Sequence, residues 1–166
     1  MSEHLKSGTL VLGIGNTLLT DEGCGVWVVE QLAARNPEAP GIRWLDGGTL
    51  SFTLAADVED AERLIVVDAT QLHAAPGTVK VFVDEQMDQM LGGHGRSIHE
   101  VGLMDLMNIA RLTDRLPRRR ALVGIQPSVV DWGSEPTPAV GAALPEARRA
   151  VATLIKDWTG FSLATD

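Results

Sequence analysis

Four short apolar runs punctuate the chain and each stops abruptly: Leu10 to Ile14 at Gly15, Ile42 to Leu45 at Asp46-Gly47-Gly48, Leu64 to Val67 at Asp68, and Ala121 to Ile125 at Gln126-Pro127. Runs of this length suit strands covered on both faces, as in the interior of a parallel sheet. Between them the apolar spacing changes to that of helices. Val26, Val29, Leu32 and Ala33 share a face after a start at Thr20-Asp21; Val101, Met104, Leu106 and Ile109 lie around a second helix; Ala147, Val151, Leu154 and Ile155 line a third. This alternation predicts an α/β, three-layer domain with a twisted, mainly parallel sheet of about five strands flanked by helices. The turn signal Ala75-Pro76-Gly77 precedes an alternating segment, Thr78 to Val83, which predicts an antiparallel strand at an edge. With no internal repeat or linker, residues 1–166 read as one domain, with a polar N-terminal extension over 1–8 and a tail over 159–166.

At 45% hydrophobic residues, a chain of 166 residues can bury roughly two-thirds of its unfolded surface. The net charge of −8 argues against nucleic acid and anionic membrane as partners. The single cysteine, Cys24, has no internal partner, and the opening MSEHLKSG is polar rather than signal-like, so the expected compartment is the cytoplasm.

Ligands of open parallel sheets bind in the crevice at the carboxyl ends of the strands. Glu22 in the turn after the first strand, Asp46 after the second and Asp68 after the third all fall on that edge. Any one of them alone reads as a cap or turn residue. Crowded together they repel unless a cation neutralises them, and for a transition metal a histidine is the expected companion. His4 in the polar tail and His73 beside a turn read as exposed, which leaves His94 and His99. His94 sits in the glycine-rich Gly92–Arg96 loop, a candidate to order on a bound substrate. His99 begins a helix, which holds a ligand more firmly. Spacing alone leaves both open.

Several other chemistries are absent. His99-Glu100-Val101-Gly102-Leu103 lacks the second histidine of a helical zinc site, and no G-x-S-x-G elbow gives Ser51, Ser97 or Ser128 a nucleophile's context. Cys24 lies near a helix start, yet Asp21 and Glu22 beside it oppose a thiolate, so it reads as a small buried residue. Gly13-Ile14-Gly15-Asn16-Thr17-Leu18 matches two glycines of a dinucleotide fingerprint, which keeps a dinucleotide-binding oxidoreductase as an alternative. Leu18 in place of the third glycine, and acids where a pyrophosphate would meet the helix start, count against it.

The stretch from Gly13 through Thr20-Asp21-Glu22-Gly23-Cys24-Gly25-Val26 resembles the opening motif of the nickel-iron hydrogenase maturation endopeptidases. The resemblance continues in family order through Leu45-Asp46-Gly47-Gly48-Thr49, Val66-Val67-Asp68-Ala69, Ala75-Pro76-Gly77-Thr78, His99 to Leu103 and Leu122 to Pro127, covering roughly residues 9–158. It implies that Glu22, Asp68 and His99 are the metal-engaging and catalytic residues, so that His99 takes the place over His94. It implies a substrate too: the nickel-loaded precursor of a hydrogenase large subunit, from which a C-terminal peptide is cut, with nickel supplied by that precursor. Asp46, Gly47, Gly48 and His94 are assigned to shaping the cleft or contacting the peptide, with a plain strand-ending turn as the other reading of the Asp-Gly-Gly stretch. The basic run Arg115, Arg118, Arg119, Arg120 is a weaker candidate for contact with the precursor, as is the Gly92–Arg96 loop. A non-enzymatic nickel-binding chaperone would use the same three residues.

Overall fold

A computed structural model describes residues 6–49, 52–93 and 98–166. Strands β1 (Thr9–Gly13), β2 (Ile42–Asp46), β3 (Arg63–Ala69), β4 (Val79–Val83) and β5 (Arg119–Ile125) form one sheet in the order β2-β1-β3-β5-β4. The β1, β2, β3 and β5 pairings are parallel, and β4 runs antiparallel to β5 at the edge. The predicted architecture is thus the observed one. All of β1 is buried, whereas the outer strands β2 and β4 carry exposed residues.

Alternation along the strands feeds two cores. On one face Val11, Ile65, Val67, Val123 and Ile125 pack against α1 (Cys24–Arg35) and α5 (Pro138–Thr159) through Val28, Leu32, Ala147, Val151 and Ile155. On the other, Leu10, Leu12, Leu64, Val66 and Leu122 pack against α2 (Ala55–Asp60), α3 (Glu85–Gly92) and α4 (Ile98–Leu112). Sequence periodicity misses α2 and α3 because each is too short to repeat an apolar face: α2 buries only Val58, and α3 only Met87 and Leu91. Helix α5 starts well before the periodic stretch at Ala147, with a proline in its first turn and Pro145 inside it. A proline within a helix removes one backbone bond, which hides the helix from a sequence reading.

Two features emerge only on folding. The arginine run is neutralised by acids of the same fold: Arg118 meets Glu62 at 3.0 Å, Arg119 meets Asp84 at 3.0 Å and Arg120 meets Asp88 at 2.6 Å. Arg115 reaches Asp60 at 3.4 Å. These pairs tie β5 to its neighbours and leave little of a basic docking patch. The tail, in turn, is docked: Phe161 and Leu163 pack on the core, Asn36 exchanges hydrogen bonds with the Ala164 backbone, and Arg148 Nε donates to the Thr165 carbonyl. Among the described residues no helix is long and apolar enough to cross a membrane.

From β1 the chain passes first to β2 on one side and then to β3 on the other, so the topological switch point lies between β1 and β3. Helix α1 closes over that point because it has no side chain at Gly25, where a β-carbon would lie 2.1 Å from the Val67 carbonyl oxygen. Gly25→Ala is therefore expected to cost about 3 kcal/mol, measured as a lower urea midpoint at unchanged slope.

Candidate functional site

The turn after β1 is built by close approach. Ile14 N donates to the Val67 carbonyl and Gly15 N to the Gly48 carbonyl, at 3.0 and 2.8 Å. Gly15 adopts φ 136°, and a β-carbon there would sit 1.8 Å from the Glu22 carbonyl oxygen. Only glycine lets the following 3-10 turn, Thr20–Gly23, fold back onto the strand end. That turn presents Glu22 over the crevice. Asp68 comes from the end of β3 and is 2% exposed, and His99 comes from the first turn of α4.

The three side chains meet. His99 Nε2 lies 2.9 Å from Glu22 Oε1, and His99 Nδ1 lies 3.3 Å from Asp68 Oδ1. A ring held between two carboxylates is best satisfied as an imidazolium donating to both. The hydrogen bond to Asp68, together with the charges of Asp68 and Glu22, outweighs burial and raises the His99 pKa above 6.5. Burial pushes the Asp68 carboxyl up to about 6, although His99 partly offsets it. Among the described residues no three His, Cys, Asp or Glu donors converge on one point to hold an ion. In this arrangement the imidazole itself lies between the acids.

Asp46, Gly47 and Gly48 sit beside this centre as a brace. Asp46 Oδ1 accepts the Gly48 amide at 2.8 Å, and Gly47 N donates to the Gly13 carbonyl at 2.8 Å. His73 is exposed, as expected. His4, His94, Ser51 and Ser97 lie outside the described residues. Cys24 is buried, and its thiol is pushed up by burial first and then by the charges of Asp68 and Asp21, which removes it from nucleophilic chemistry. Asp21 acts on it as its place in the chain suggests, but the larger charge is that of Asp68, brought near by folding.

Sequence reading passed over the role of Asp21. It is 0% exposed, and it accepts hydrogen bonds from the amides of Ser128, Val129 and Thr137 and from the Thr137 hydroxyl. Burial alone would raise its pKa, but these donors prevail and hold it below the usual carboxylate value. Its partners lie 107 to 116 residues away along the chain, so no local signal discloses them. The same loop runs alongside Leu18 to Asp21, with Thr20 N donating to the Gly133 carbonyl at 2.8 Å, and it exposes Val129, Val130 and Trp132 next to exposed Leu18. Thr20 itself takes φ 48°, a conformation that costs a β-branched residue about 1–3 kcal/mol.

Two acids and a histidine meeting at the switch point of an α/β sheet form a site able to hold and move a proton. Residues 26–154 match the family model of hydrogenase maturation protease. The chain is 41% identical over 136 residues to the hydrogenase expression/formation protein HupM of Azotobacter chroococcum, spanning 81% of this chain and 65% of HupM. It resembles the solved structure of the hydrogenase maturating endopeptidase HybD from E. coli, with a TM-score of 0.85, 34% identity and coverage of 92% and 94% of the two chains. The NiFe hydrogenase maturation protease HybD of Thermococcus kodakarensis matches with a TM-score of 0.74 at 29% identity, over 89% and 98%. This chain belongs to the hydrogenase maturation protease family.

The ring's position yields a pH-dependent expectation. A histidine whose pKa is raised on folding contributes stability that is full below its unfolded value of 6.5 and is lost as pH rises through the folded value. By NMR the His99 midpoint should lie above 6.5, and Glu22→Gln should lower it. The thermal-stability advantage of the wild type over Glu22→Gln should then be full just below pH 6.5 and shrink as the pH is raised further.

Proposed function

We propose that this protein is an endopeptidase that removes a C-terminal peptide from the nickel-loaded precursor of a nickel-iron hydrogenase large subunit, reading the precursor's nickel with Glu22, Asp68 and His99. The observation that carries this reading is the imidazole of His99 suspended between Glu22 and Asp68 at the switch point of a maturation-protease fold.

Carboxylate oxygens and an imidazole nitrogen form a donor set that nickel accepts. Glu22 Oε1 and His99 Nε2 face each other at 2.9 Å, so engaging the precursor's nickel there requires loss of the proton between them. Asp68, on the opposite ring nitrogen at 3.3 Å, orients the imidazole. Nickel brought by the precursor can polarise the scissile carbonyl. Asp68, with its carboxyl at about 6, is poised to accept a proton from the attacking water near neutral pH. Water oxygen bonds to the carbonyl carbon, the carbon–nitrogen bond breaks, and the proton passes to the leaving amine.

Asp46, Gly47 and Gly48 would border the peptide, and His94, five residues before His99 in the sequence, is a further candidate for that contact. Exposed Leu18, Val129, Val130 and Trp132 offer the precursor an apolar rim beside the turn that carries Glu22. A cytoplasmic place of work fits a chain whose one cysteine is free and buried. The dinucleotide reading has lost its basis, because the glycine turn here packs under the Glu22 backbone.

Mass spectrometry should detect peptide release from nickel-loaded precursor and none from metal-free precursor. Equal cleavage of both would refute metal reading, and nickel binding without any release would favour a chaperone. Glu22→Gln, Asp68→Asn and His99→Ala should each lower the cleavage rate by about 100-fold or more while remaining folded.

A further inference from the structure

We propose that Asp21 is a positioning residue for Glu22: it clamps the 3-10 turn carrying Glu22 to the loop between β5 and α5, and so sets where the Glu22 carboxylate stands. This rests on the reading of Glu22 as a reactive group.

The clamp is all-donor. Asp21 Oδ2 accepts from Ser128 N at 2.8 Å, Val129 N at 3.0 Å and Thr137 Oγ1 at 2.8 Å; Oδ1 accepts from Thr137 N at 2.7 Å and from Thr137 Oγ1 at 3.0 Å. Both oxygens see only N–H and O–H groups, so an amide in this place would aim its own NH2 at a donor. A carboxylate is required where a mere turn would accept asparagine.

Two local preferences are given up to make this contact. Thr137 is the N-cap residue of α5, yet it makes no side-chain cap bond, and its hydroxyl is turned to Asp21 instead. Thr20, immediately before Asp21, is held at φ 48° with its hydroxyl donating to the Val129 carbonyl at 2.6 Å and accepting from Asp131 N at 3.1 Å. Strain that persists in a tightly restrained segment is characteristic of functional sites. Both concessions converge on one turn. Its next residue is Glu22, whose Oε1 must reach His99 Nε2, whereas Asp68 reaches the same ring from a buried strand end that the clamp does not touch.

The two ring nitrogens of His99 therefore report separately on the two acids. In full-length protein without precursor, the 15N shift of His99 Nε2 in Asp21→Asn should move in the direction and to most of the extent seen in Glu22→Gln, while the Nδ1 shift should stay near its wild-type value. With nickel-loaded precursor, kcat should fall at least tenfold in Asp21→Asn, and the double variant Asp21→Asn/Glu22→Gln should be no slower than Glu22→Gln alone. A folded Asp21→Asn with wild-type ring shifts and kcat would overturn the inference. If Asp21→Asn does not fold, Thr137→Val, which removes only the hydroxyl donor, should move the Nε2 signal the same way to a smaller extent; an unmoved signal there would overturn it equally. Full activity in Glu22→Gln would instead defeat the functional reading, a separate result.

Discussion

Helix α1 can approach β3 only because Gly25 presents bare backbone to the Val67 carbonyl, the same oxygen that accepts the Ile14 amide. The rest of the crevice depends on this contact. It brings the chain leaving β1 back across the switch point, and Gly15 then allows the Glu22 backbone to settle within a distance that any side chain would forbid. Glycines placed this way exchange conformational freedom in the unfolded chain for a backbone approach that no other residue allows. The motif is therefore a packing device that delivers a carboxylate, where a nucleotide-binding turn would deliver amides to a phosphate.

Once delivered, the acids need a counter-charge. Asp68 is buried at a strand end and Glu22 stands partly covered above it, an arrangement that is unfavourable without a cation between them. His99, its pKa raised by Asp68 and Glu22, supplies that cation as a protonated ring. The same geometry makes the centre exchangeable, because a proton on an imidazole is displaced far more readily than a fixed guanidinium.

Charge elsewhere in the molecule is handled differently. The arginines of β5 and the turn before it are matched by Asp60, Glu62, Asp84 and Asp88, acids from neighbouring connections and helices. Partly exposed pairs of this sort contribute little each. Their consequence is topological: they fasten the antiparallel edge and α3 to the parallel sheet, leaving the opposite end of the strands for chemistry.

Period-two and helical spacing, together with strand-ending acids, made the sheet, its antiparallel edge and the candidate acids Glu22 and Asp68 legible in the sequence, since each of these depends on residues close together in the chain. His99 was legible only in part, because its competition with His94 turned on family resemblance. The short helices, the docked tail, the neutralised arginines and the Asp21 clamp were not legible at all. Each rests on partners brought together by folding, such as Asp21 with Thr137 or Asn36 with Ala164. Local sequence dictates which backbone shapes are cheap; only the assembled sheet decides which distant donors meet a given carboxylate.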